Sequence, residues 1–186
     1  MSISILTPPA SEPVSLAEAK LFLRVDHADE DALITDIISA ARDAVERACG
    51  RALITRRVRE TLEDWRRDAF GAAELSVGPA TNVAAVRLLS SDGSESVIDP
   101  SRYRLDGARD RPRLVFEDGL PILLRSIGGI EVDYDAGLAA VASDVPTALR
   151  LALLHVAAAL YETRLGDVAL PRAAQALMRP YAPMRL

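Results

Sequence analysis

The chain has 186 residues, a formal net charge of -5 and one cysteine, Cys49. That length buries a real core as one domain, or as one domain carrying an insertion. The lone cysteine excludes an internal disulfide framework and an all-cysteine zinc site; the acidic balance argues against a duplex-DNA binder, whose affinity comes from Lys and Arg displacing phosphate counterions.

Residues 1–14 have neither a basic start nor a long apolar run, so they read as an N-terminal arm rather than a secretory signal or transit peptide. Ser15 and Glu18 then stand at capping-box spacing, which predicts a helix start, with Leu16, Ala19, Phe22 and Leu23 along one side. After the acidic turn Asp26 to Asp31, the residues Leu33, Ile34, Ile37, Ile38, Ala41, Val45 and Ala48 recur on one face of a long helix. Asp36, Arg42, Asp43, Glu46 and Arg47 lie largely opposite, and Gly50 is a left-handed stop.

From Arg51 the period changes from 3.6 to short alternating runs broken by Gly, Pro and Asp-Gly, the pattern of antiparallel strands. Val58, Glu60 and Leu62 alternate with Arg57, Arg59 and Thr61, and Glu74 to Val77 forms a strand running into Gly78-Pro79. Asn82 to Ser90 is the next strand, and Asp92-Gly93 predicts a two-residue hairpin back into Glu95 to Ile98. Tyr103 and Leu105, Leu114 and Phe116, and Ile130, Val132 and Tyr134 complete a small sheet with one buried face.

Asp144-Val-Pro146 restarts a helix that runs to Arg164. It is apolar nearly all round, with Arg150, His155, Glu162 and Arg164 as its polar minority, so it is expected to be buried on several sides. The Pro13 to Gly50 pair supplies one side and a neighbouring subunit is a candidate for another. Its longest apolar run, Leu151 to Tyr161, is interrupted by His155 and falls short of the roughly 20 residues of a membrane span. The expected fold class is therefore α+β: a helical core over 15–50 and 144–166, an antiparallel β insertion over 51–137, and an extended C-terminal segment over 167–186. That last segment has one short helical piece starting at Pro171 and ends in MRPYAPMRL, apolar, basic and broken by Pro180 and Pro183. Such a tail folds back or docks on a partner.

Candidate chemistry is sparse. The turn Asp26-His-Ala-Asp-Glu-Asp31 departs from a calcium loop, which needs glycine at its sixth position and a bidentate Glu at its twelfth; here those are Asp31 and Ile37. Its carboxylates are better explained as favourable charge at a helix start. A thiol enzyme would pair Cys49 with His155, because His27 lies about 30 Å of helical rise away; the plainer readings are a small buried hydrophobe and a satisfied core histidine. No nucleophile elbow, phosphate loop, dinucleotide fingerprint or zincin motif is present. The two opening helices are unsuited to reading DNA, since carboxylates at the second helix's start would repel phosphates. The basic run Arg56, Arg57, Arg59, Arg66 and Arg67 is interleaved with Glu60, Glu63, Asp64 and Asp68, which favours a solvated or subunit-pairing strand over a phosphate track. No catalytic, metal or cofactor residue is expected.

Taken as ordered blocks, PVSLAEAKLFLRVD, DEDALITDIISAARDAVERACGRALI, an insertion ending GGIEVDYDAG, and the DVP-initiated helix with its YETR resemble the head-tail connector, or adaptor, family of tailed bacteriophages and gene transfer agents. The resemblance spans Pro13 to Arg164. It implies a structural protein made in the bacterial cytoplasm and built into a virion or phage-like particle. Copies would form a ring, commonly dodecameric, between the portal protein and a tail-side connector (stopper), with DNA passing through unread and no membrane or cofactor involved. It also implies that the tail reaches the portal, which nominates Arg172, Leu177, Met178, Arg179, Tyr181, Pro183, Met184, Arg185 and Leu186. The alternatives are a small cytosolic hydrolase or thiol enzyme using Cys49 and His155, and a partner-binding module of a non-viral complex.

Overall fold

The computed structural model describes residues 2–108, 111–163 and 169–182. They fall into two compact units: Ala10–Ile54 with Ala139–Leu186, and Met1–Pro9 with Thr55–Leu138.

The first unit is helical. Helix α1 (Leu16–Leu23) starts on the expected capping box: the Ser15 hydroxyl accepts the Glu18 N–H at 3.2 Å, and the Glu18 carboxylate accepts the Ser15 N–H at 2.9 Å. It closes on Arg24 in the left-handed region, φ 59°. Helix α2 (Asp31–Cys49) buries Ile34, Ile38, Ala41, Val45 and Cys49 and stops at Gly50, φ 64°. Leu33 and Ile37 stand to the side of that stripe, with Leu33 exposed. Glu46, expected on the solvent face, is buried, because its carboxylate accepts the Leu53 N–H at 2.8 Å beyond the helix end.

Helix α3 (Thr147–Glu162) packs on α1, α2 and α4 (Arg172–Met178). Leu149, Ala152, Leu153, Val156 and Ala157 form its buried face. Fully burying a leucine of this kind contributes about 1.5–3 kcal/mol, so this face holds the unit together. The expected last residue of α3, Arg164, lies outside the described residues. Where the chain leaves and re-enters the unit, the Ala139 N–H bonds to the Leu53 carbonyl at 3.1 Å.

The second unit is all β. Strands β1 (Ser2–Thr7), β2 (Arg56–Leu62), β4 (Ala80–Leu89), β5 (Glu95–Val97) and β8 (Ile130–Ala136) make an antiparallel sheet in the order β1-β2-β8-β4-β5. Strands β3 (Ala73–Glu74), β6 (Tyr103–Asp106) and β7 (Arg113–Phe116) make a second, in the order β3-β7-β6. Val58, Leu62, Val86, Ile130, Val132 and Tyr134 from the first meet Ala73, Leu75, Leu114 and Trp65 in one core. The period-2 alternation of β2 and β8 thus does what the sequence predicts, leaving the arginines and aspartates on the other face.

Three expectations change here. The N-terminal arm contains β1, which pairs with β2 from Ser2↔Thr61 to Thr7↔Arg57 and is exposed along its whole length. The strand over 74–77 shrinks to Ala73–Glu74: the Leu75 N–H still reaches the Pro112 carbonyl at 2.8 Å, but side chains take the next two amides, Ser76 N–H donating to Glu60 at 2.8 Å and Val77 N–H to the Tyr134 hydroxyl at 3.1 Å. The two-residue hairpin is a longer loop, with Ser90 N–H bonded to Ser94 O, Gly93 N–H to Ser90 O, and Gly93 at φ 87°. Asp92 stabilises it by accepting the Ser94 N–H and hydroxyl, which places the glycine third in the loop.

Candidate functional site

Each candidate reaction centre reduces to structure. Cys49 is fully buried, and burial pushes its thiol pKa up, the opposite of what activates a nucleophile. No hydrogen bond or ion pair joins it to His155 among the described residues; His155 is half-buried, with its ring edge-on to Phe22 at 5.4 Å. In the acidic turn, Lys20 Nζ donates to the His27 carbonyl at 2.6 Å and to Asp31 at 2.5 Å, and the Tyr161 hydroxyl donates to Glu30. The turn is tied down by protein groups. Among the described residues no three His, Cys, Asp or Glu side chains are grouped to hold a metal ion, and no helix is long and apolar enough to cross a membrane.

Arg57 and Arg59 of β2 are matched across the sheet by carboxylates of β8. Arg57 Nε and Nη2 both donate to Asp135 at 2.9 Å, and Arg59 donates to Asp133 at 2.7 and 2.9 Å. Arg87 of β4 reaches the same Asp133 at 2.7 Å, and Glu131 and Glu95 extend the ladder at 3.2 Å from Arg59 and 3.8 Å from Arg87. Arg59 holds the Asp133 carboxyl below the usual range, and Arg57 does the same for Asp135. Such bidentate pairs are geometrically demanding as well as favourable. This face is an internally neutralised ladder, so its arginines are not set out for phosphates.

A buried polar knot sits beneath it. Glu60 is fully buried and accepts hydrogen bonds from the Tyr134 hydroxyl at 2.9 Å, the Ser76 N–H at 2.8 Å and the Ser76 hydroxyl; Arg66 stands 3.6 Å away. Burial and the neighbouring Glu60 push the Tyr134 pKa up, so the phenol stays a donor. Sequence reasoning missed this. Its only signal is a glutamate in the inward register between Val58 and Leu62.

The C-terminal candidates divide. In α4, Ala174 and Met178 point into the helical unit and are buried, while Arg172 is exposed and Leu177 half-buried. Met178, nominated for a partner surface, is 3% exposed and anchors the segment instead, being four residues from Ala174 on one helix face. A short 3-10 turn, Arg179–Tyr181, follows with Arg179 exposed and Tyr181 half-buried. An open groove beside it is lined by Ala48, Leu170, Gln175 and Arg179. Pro183, Met184, Arg185 and Leu186 lie outside the described residues.

Several large apolar side chains remain exposed in each unit. In the helical unit, Leu33, Ile37, Ala40, Leu160 and Tyr161 line an open groove rimmed by Asp36, and Leu21 and Leu151 are exposed. The helix expected to be buried on several sides therefore keeps part of its circumference open within one chain. In the β unit, Phe70, Ile122 and Ile127 are exposed on loops.

A family model described as phage gp6-like head-tail connector protein matches residues 13–83. No curated protein matches the chain. Among solved structures, a chain from the neck of an empty GTA particle with C6 symmetry is 29% identical, with a TM-score of 0.86. One from the virion of a native gene transfer agent (GTA) particle is 29% identical, TM-score 0.84. One from the neck of a native GTA particle with C12 symmetry is 30% identical, TM-score 0.83. In each case the match covers 100% of this chain and 97% of the other.

Proposed function

Because this chain belongs to the phage gp6-like head-tail connector family, we propose that it works entirely through its surfaces, as a ring of twelve copies held between a portal protein and a tail-side stopper. It is a structural head-tail connector of a gene transfer agent particle neck, not an enzyme. The observation that carries the reading is the end-to-end match to a component of a native neck with C12 symmetry. A cyclic ring joins two different surfaces of the same chain, and the open apolar groove between α2 and α3 is the kind of surface such contacts cover.

The tail provides the portal contact. Ala174 and Met178 fix α4 on the helical unit, and Arg172, Leu177, Arg179 and Tyr181, with the residues that follow, Pro183, Met184, Arg185 and Leu186, engage the portal. DNA passes through the ring without being bound: the chain carries a net charge of -5, repeated in every copy, and Arg57, Arg59 and Arg87 of its main sheet are already paired with carboxylates. The test is reconstitution. Purified chain mixed with portal rings and weighed by native mass spectrometry is expected to load cooperatively to twelve copies per portal. Absence of any portal-bound chain would overturn the portal contact.

A further inference from the structure

The five-stranded sheet has two edges, built differently. Proteins blunt an edge strand by making it short, by placing charge or proline on it, or by bulging it. β5 is blunted: it has three residues and includes Glu95, which Arg87 approaches at 3.8 Å. β1 is not. It has six residues, Ser-Ile-Ser-Ile-Leu-Thr, with no charge and no proline, and the first charged residue of the chain is Glu12. A single register shift falls near its end, between Ile5 and Thr7, leaving Ser2 to Ile5 regular. Its inner side pairs with β2, and no strand lies on its outer side among the described residues. Ile3, Ile5 and Leu6 are 43, 55 and 43% exposed.

The register says what would cover this edge. Ile3 stands opposite Glu60 and Ile5 opposite Val58, on the core side of the sheet, while Ser2 and Ser4 fall on the charged side. One added strand would take up the unpaired backbone groups and bring side chains over Ile3 and Ile5 together. We propose that the outer edge of β1 is a subunit contact, filled by an extended segment of a second copy of this chain; the proposal rests on the ring reading above.

Two features favour a second copy over a different protein. Charged residues make up 26% of the chain yet are missing from its first eleven positions. A partner selected from solution is matched by complementary charge, whereas a contact between identical copies in a closed ring needs no such label. In a cyclic ring every copy presents the same edge, and the adjacent copy supplies one occupant for each.

The experiment uses the full chain in assembled particles, with p-benzoylphenylalanine replacing Ile5. Irradiation is expected to give a ladder at multiples of the 20.0 kDa chain, with peptide mapping joining this chain to itself. Adducts to another protein only, or none from particles that contain the chain, would overturn the edge contact. Particles lacking the chain altogether would overturn the neck reading, and the edge contact with it. As a second arm, Ile5→Lys adds an edge lysine at an exposed site. It should leave the subunit's melting temperature unchanged while cutting ring formation at least tenfold; rings forming normally would count against the proposal.

Discussion

Asp133 offers the sharpest distinction between a sheet laced by its own charges and a surface that offers arginines to DNA. Its carboxylate is 6% exposed and accepts from Arg59 Nε at 2.7 Å, Arg59 Nη2 at 2.9 Å and Arg87 Nη1 at 2.7 Å. Asp133→Asn keeps the shape and one acceptor but removes the charge. Breaking a fully buried pair costs about 3–5 kcal/mol. Here both arginines reach a second carboxylate, Glu131 or Glu95, and are themselves 31 and 22% exposed, so much of that penalty is relieved. The expected loss is about 2 kcal/mol, read by urea denaturation of the purified chain.

The pH dependence fixes the sign. Arg59, the main cause, lowers the folded pKa of Asp133 below its ordinary value of 3.8. The stabilisation is therefore complete above the ordinary carboxylate range and is lost as pH falls through the lowered folded value. The asparagine variant should lack that part of the acid dependence and show no gain in duplex affinity by fluorescence anisotropy. A loss under about 0.5 kcal/mol, or tight salt-sensitive DNA binding by either form, would refute the lacing argument.

Deleting Arg179 to Leu186 should leave a folded subunit, with an unchanged circular dichroism spectrum, and yield particles without attached tails; normally tailed particles would refute the tail assignment. Leu153→Ala, at a fully buried site of α3, should cost about 3 kcal/mol in thermal or urea unfolding. Leu151→Ala, at a site 37% exposed, should cost under about 1 kcal/mol and weaken ring assembly instead. Cys49 should react with iodoacetamide on the order of 100-fold more slowly in the native chain than in urea, and Cys49→Ala should still assemble; rapid native labelling would contradict its burial.

What was legible in the sequence was local. The Ser15–Glu18 capping box and the Gly50 stop involve partners within one helical turn, so spacing alone reveals them. The alternation of β2 and β8 was equally plain. Which residues answer the arginines was not: the acids next to Arg57 and Arg59 in sequence are bystanders, and the true partners, Asp133 and Asp135, arrive through cross-strand register. Glu60 is illegible for the same reason, since Ser76 and Tyr134 reach it only once two strands and a loop have come together. The N-terminal strand was missed because a six-residue edge strand has meaning only beside β2. Met178 shows the converse: its spacing from Ala174 already marked it as an inward residue, and the apolar, basic character of the tail drew attention away from that.

If this chain is the ring joining head to tail, the particle neck contains it at that level. Cryo-electron microscopy of the necks of particles made by cells expressing it, reconstructed with rotational symmetry, tests that most directly. Twelve copies are expected, with this helical unit and β unit fitted around the DNA channel between portal and tail. A neck whose density at that level is filled by a different fold, or complete tailed particles from cells lacking the chain, would contradict it.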